Sequence, residues 1–193
     1  MKKTKWKAAF ITLGIINILI FAVFAGMILM PSKDQPIPKK VPADQEDVQF
    51  HINATKEDLN KMINHYIQKE GLNGPIDYSV YLKDDVELYG TIPLFTSNLQ
   101  LKMTLEPKAL DNGDLILKQK SISLGQLDLP VSYVMELIKN KYKLPDWVSI
   151  QPNDHLIYVS LQKMKLKSDI KVRADEFNLK DDKIKFTLLV PTN

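Results

Sequence analysis

The sequence predicts an α+β fold: an N-terminal transmembrane helix, then a curved antiparallel sheet carrying two amphipathic helices. Three observations predict it. Ala8 to Met30 is one apolar run behind Lys2, Lys3, Lys5 and Lys7. Several segments beyond residue 75 alternate apolar and polar side chains with a period of two, the signature of strands with one dry face. Two other segments, after Thr55 and after Pro130, repeat apolar residues at helical spacing.

The apolar run is about 23 residues long, enough at 1.5 Å per residue to cross a hydrocarbon core of about 30 Å. The lysines ahead of it hold that end in the cytoplasm. The expected organisation is a cytoplasmic tail at 1–7, an anchor at 8–30, a proline-rich linker at 31–45 and an extracytoplasmic α+β domain at 46–193. The expected location is the cell membrane, as a single-pass protein. A cleaved signal peptide is the rival reading, with Val23-Phe24-Ala25 as its cleavage site. The apolar run exceeds a typical signal core and continues through Met30, which favours a retained anchor. Asn17 is a polar side chain within the run that could bond a partner helix. Pro31, Pro36, Pro38 and Pro42 make the linker an extended spacer.

The net charge of +3 misleads, because the lysines of the tail and linker supply it. From Asp44 onward, 19 Lys and Arg stand against 22 Asp and Glu, leaving about −3. That balance gives no support for nucleic-acid binding, which needs a clustered basic face. The chain has no cysteine, which excludes disulfides, thiolate metal sites and thiol catalysis.

Within the outer domain, Thr55 and Asp58 form a capping-box pattern. Leu59, Met62, Ile63, Tyr66 and Ile67 then lie on one stripe, predicting a helix over 56–70 with Gly71 behind it. Strands follow at Ile76–Leu82, Val86–Leu94 and Leu99–Leu105. Asp111-Asn112-Gly113-Asp114 is a hairpin signal leading into Leu115–Leu124. After Pro130, the residues Val131, Val134, Met135, Ile138 and Tyr142 share a helix face, and Leu144-Pro145 stops it. Short strands at 147–150 and 156–161 and a final pair at 170–179 and 184–190 complete the sheet, which is highly curved or two-layered.

Chemistry is sparse. His51, His65 and His155 are not spaced as metal ligands on one element. Asp84-Asp85 and Asp181-Asp182 read as turns rather than acid–base pairs. No nucleophile elbow, phosphate loop or zinc-protease motif occurs. The expectation is a protein without catalytic, metal or cofactor chemistry. What remains is apolar surface, either a filled core or a slot between helices and sheet. Met62, Met103 and Met135 suit both.

Gly125-Gln126-Leu127-Asp128-Leu129-Pro130, then Leu144-Pro145-Asp146-Trp147-Val148, and finally Phe177-Asn178-Leu179 with Ile184-Lys185-Phe186 give the chain a resemblance to the YpmS family of Gram-positive bacteria. These are membrane-anchored proteins with a domain of unknown function. The resemblance implies a fold similar to tubular lipid-binding domains, where a helix lies in a wrapped sheet and lipid occupies the gap. The expected function is then an anchored module holding a lipid or lipid-linked envelope precursor. Its groove candidates are Leu59, Met62, Ile63, Tyr66, Ile67, Met103, Val131, Val134, Met135 and Ile138. The alternative is a structural protein docking an envelope enzyme or secretion complex. A hydrolase of envelope polymer has no supporting motif.

Overall fold

The computed structural model describes residues 3–29, 36–37, 47–69, 78–94, 97–164, 166 and 169–192. The chain divides into two compact units, residues 1–31 and 32–193. Nearly all of the expected linker, Gly71 and the start of the strand expected from Ile76 lie outside the described residues.

The first unit is helix α1, Lys3–Leu29. Its described side chains from Phe10 to Val23 are exposed. Asn17 turns its amide inward along the helix and donates to the Leu13 carbonyl at 2.9 Å. Among the described residues, no helix is long and apolar enough to cross a membrane.

The second unit runs β1 (Val48–Ala54), α2 (Lys56–Lys69), β2 (Tyr78–Leu82), β3 (Val86–Leu94), β4 (Ser97–Ala109), β5 (Leu115–Leu124), α3 (Val131–Lys141), β6 (Val148–Gln151), β7 (Leu156–Val159), β8 (Lys171–Asn178) and β9 (Lys183–Val190), with a 3₁₀ turn at Leu161–Lys163. This is α+β with every strand pair antiparallel. The strands form two antiparallel sheets, β1-β9-β8 and β2-β3-β4-β5-β7-β6. Bulges at Thr104/Leu105 and Ala174/Glu176 shift the register and add local twist.

Strand β1 has no counterpart in the expectations above. Its Val48, Phe50 and Ile52 alternate as a strand should. Its partner, β9, lies at the far end of the chain, with Val48 opposite Val190 and Ala54 opposite Ile184. No local hairpin signal can announce such a pairing.

Helix α2 starts where the cap predicts. The Thr55 hydroxyl accepts from the Asp58 amide at 3.2 Å and donates to the Asp58 carboxylate at 2.7 Å. A second cap comes from the β8–β9 turn, whose Asp182 accepts the Lys56 amide at 2.8 Å. Both aspartate pairs sit in turns: Asp84-Asp85 between β2 and β3, and Asp181-Asp182 between β8 and β9. Asn60 fastens α2 to the edge of β2, since its side-chain carbonyl accepts the Leu82 amide at 2.7 Å and its NH₂ donates to the Leu82 carbonyl at 3.0 Å.

One contiguous core joins both sheets and both helices. Ile92, Leu101, Met103, Leu105, Leu124, Met135 and Ile184 are its fully enclosed members. Gly90 lets the core close, because a Cβ there would run into the Tyr142 hydroxyl.

Candidate functional site

The ten groove candidates separate into three groups. Met103, Met135, Val134 and Ile138 are buried, the two methionines at 0 % exposure. Leu59 and Ile67 are buried where α2 meets the domain. Ile63, Tyr66 and Val131 are half-buried, and Met62 stands 59 % exposed. Side chains without accessible surface have none to share with a ligand in this conformation. Among the ten candidates, the surface most open to an apolar molecule is therefore the outer part of the α2 stripe.

Trp147, absent from the candidates, borders that face, and a further aromatic pair packs in the same domain. Tyr66 meets Trp147 at a centroid distance of 5.9 Å, tilted by 57°. Tyr78 and Tyr142 stack edge to face at 5.4 Å. The Tyr142 hydroxyl donates to the Thr91 carbonyl at 3.1 Å. Burial pushes its pKa up to about 12, against the smaller opposing effect of that bond. Tyr142 was legible as the last residue of the α3 stripe. Trp147 follows the stop signal Leu144-Pro145, and only the tertiary fold brings it to Tyr66.

A second cluster is polar and buried. Asp114, at the base of the β4–β5 hairpin, accepts the Tyr158 hydroxyl and, at 3.4 Å, the Ser160 hydroxyl. The Asn112 amide donates to the same carboxylate at 3.2 Å, and the Gln162 backbone amide to its other oxygen at 3.4 Å. Burial comes first in raising the Tyr158 pKa to about 12, and Asp114 adds to it through its hydrogen bond and its charge. The Asp-Asn-Gly-Asp signal predicted the hairpin but not this inward carboxylate, whose partners Tyr158, Ser160 and Gln162 lie more than forty residues along the chain. The hydroxyls around Asp114 are committed to one acceptor, so the cluster ties the hairpin to β7 and the 3₁₀ turn.

A third array crosses the three-stranded sheet. His51 Nδ1 lies 2.9 Å from the Thr187 hydroxyl, which donates to Asp175 at 2.6 Å. With that proton committed to Asp175, Thr187 accepts from His51 Nδ1–H. The array links β1, β9 and the β8 bulge. Among the described residues, no group of three His, Cys, Asp or Glu side chains is placed to hold a metal ion.

A family model described as "Uncharacterized protein conserved in bacteria (DUF2140)" matches residues 4–190. A relative from Bacillus subtilis (strain 168), described as "Uncharacterized protein YpmS", is 33 % identical over 187 residues, covering 97 % of this chain and 98 % of that protein. No solved structure matches. The hairpin, helix and strand pattern from β1 to β9 thus falls within one full-length family match, and the chain belongs to the DUF2140 family, together with YpmS of Bacillus subtilis.

Proposed function

We propose that this protein is a membrane-anchored, extracytoplasmic binding module that takes an acyl chain or lipid-linked envelope precursor against the outer face of α2. It works without catalysis or a cofactor. The anchor reading is supported by the unbroken run Ala8–Met30 and its lysine flank. The exposed apolar side chains of α1, among them Phe10, Ile18 and Phe21, add to that support. The observation that carries the binding reading is the half-used α2 stripe. Leu59 and Ile67 anchor the helix, while Met62 projects and Ile63 and Tyr66 stay partly open beside Trp147. Each methylene covered there contributes about 0.8 kcal/mol.

Uptake of a fluorescent fatty acid by the full chain in detergent tests the reading, with native mass spectrometry for co-purified lipid. Met62→Glu and Trp147→Ala should each weaken uptake by about tenfold, the equivalent of two covered methylenes. Apo protein without uptake overturns it. A second reading has its own support: the enclosed Met103 and Met135 fit a filled core and a protein that docks an envelope partner through its surface. In-cell crosslinking that captures a stoichiometric partner from Met62→Glu protein would favour it.

A further inference from the structure

The two sheets have four edges, and three are covered. At β2, Asn60 satisfies both backbone groups of Leu82. At β8, the chain bulges at Asp175, and the Ala174 amide donates to the Gly113 carbonyl at 2.8 Å. Strand β6 is four residues long, with α3 packed against it. The fourth edge is β1, where the described residues offer no partner beyond β9. It is seven residues long and lacks proline, glycine, bulge and Asp, Glu, Lys or Arg. Val48, Phe50 and Ile52 are 45 %, 54 % and 41 % exposed. Natural edges are blunted by charge, proline, bulge or cover, and among the described residues β1 has none of these.

We propose that β1 pairs antiparallel with β1 of a second copy, joining two three-stranded sheets into one of six across a two-fold axis. The outer edge of β1 presents backbone N–H and C=O groups. A bilayer cannot satisfy them and a strand can, so the exposed face calls for a polypeptide occupant. Full overlap of the seven residues puts the axis through His51. Phe50 then faces the partner's Ile52, and Gln49 the partner's Asn53, apolar on apolar and amide on amide. Self-pairing places any formal charge near its own copy, and β1 carries no Asp, Glu, Lys or Arg to repel one. The β8 edge, with Lys171, Arg173, Asp175 and Glu176, is built the opposite way. The pairing is isologous and closes at two copies. It rests on strand geometry alone and holds whether or not the domain takes a lipid.

The chain has no cysteine, so one introduced thiol reports unambiguously. The full chain with His51→Cys, in detergent and in phosphatidylglycerol vesicles, should oxidise to a disulfide-linked homodimer. Gln126→Cys, in the exposed turn after β5, should not. Adding Ile52→Lys to His51→Cys should cut the linked fraction by about tenfold. The unmodified chain should scatter light as two copies per particle, and Ile52→Lys alone as one, with its melting temperature kept because Ile52 is exposed. A monomeric unmodified chain, linking of His51→Cys no stronger than that of Gln126→Cys, or linking in cells to a different protein in place of a homodimer would each overturn the proposal.

Discussion

Asp114 shows how much one side chain can hold together. It is 2 % exposed and accepts from Tyr158, Ser160, Asn112 and the Gln162 amide. Asp114→Ala should destabilise the domain by about 2–4 kcal/mol, because several buried donors lose their acceptor together. Urea unfolding with an unchanged slope would report it. Tyr158→Phe removes one donor, and its effect should be non-additive with Asp114→Ala. The two tyrosines near 12 also predict an alkaline limit. In the unfolded chain they ionise near 10, while the fold keeps them protonated. Their contribution is therefore intact below pH 10 and is lost as pH rises from 10 to about 12. Ultraviolet tyrosinate absorbance should rise together with unfolding across that window.

Among the elements, the hairpin between β4 and β5 depends on Gly113. Its φ is +86°, and a Cβ there would lie 2.8 Å from the Arg173 side chain. Gly113→Ala should cost about 1–2 kcal/mol from backbone strain alone, seen as a lower melting temperature. Helix α3 should be the sensitive helix: Met135→Ala opens a cavity and should cost about 2–5 kcal/mol, whereas Met62→Ala on α2 should stay within about 0.5 kcal/mol. Elements held by local signals were legible in the sequence. The Thr55 cap, the Asp111–Asp114 turn and the Leu144-Pro145 stop announced α2, the β4–β5 hairpin and the end of α3. What could not be read joins distant residues. Strand β1 finds β9 across the whole domain, Asp114 finds Tyr158, and Tyr66 finds Trp147. The period of the α2 and α3 stripes told which side chains face inward, but not that Met135 would be sealed and Met62 left open. Packing against non-local strands decides that.

For the whole molecule, the proposed anchor predicts an orientation. Replacing Lys2, Lys3, Lys5 and Lys7 by glutamine should lower the fraction of outer domains that protease can reach on intact protoplasts, since the positive flank sets the topology. The pairing of β1 with β9 carries a consequence of another kind. Val48 leaves the ribosome long before Val190, yet they are register partners. The three-stranded sheet therefore cannot close until β9 has been made. Such non-local pairing slows folding and leaves an apolar strand without its β9 partner until that strand emerges. A chain ending after Leu179 would make β1 without its β9 partner. Late C-terminal truncations should accumulate as proteolysed or aggregated species rather than as a smaller stable domain.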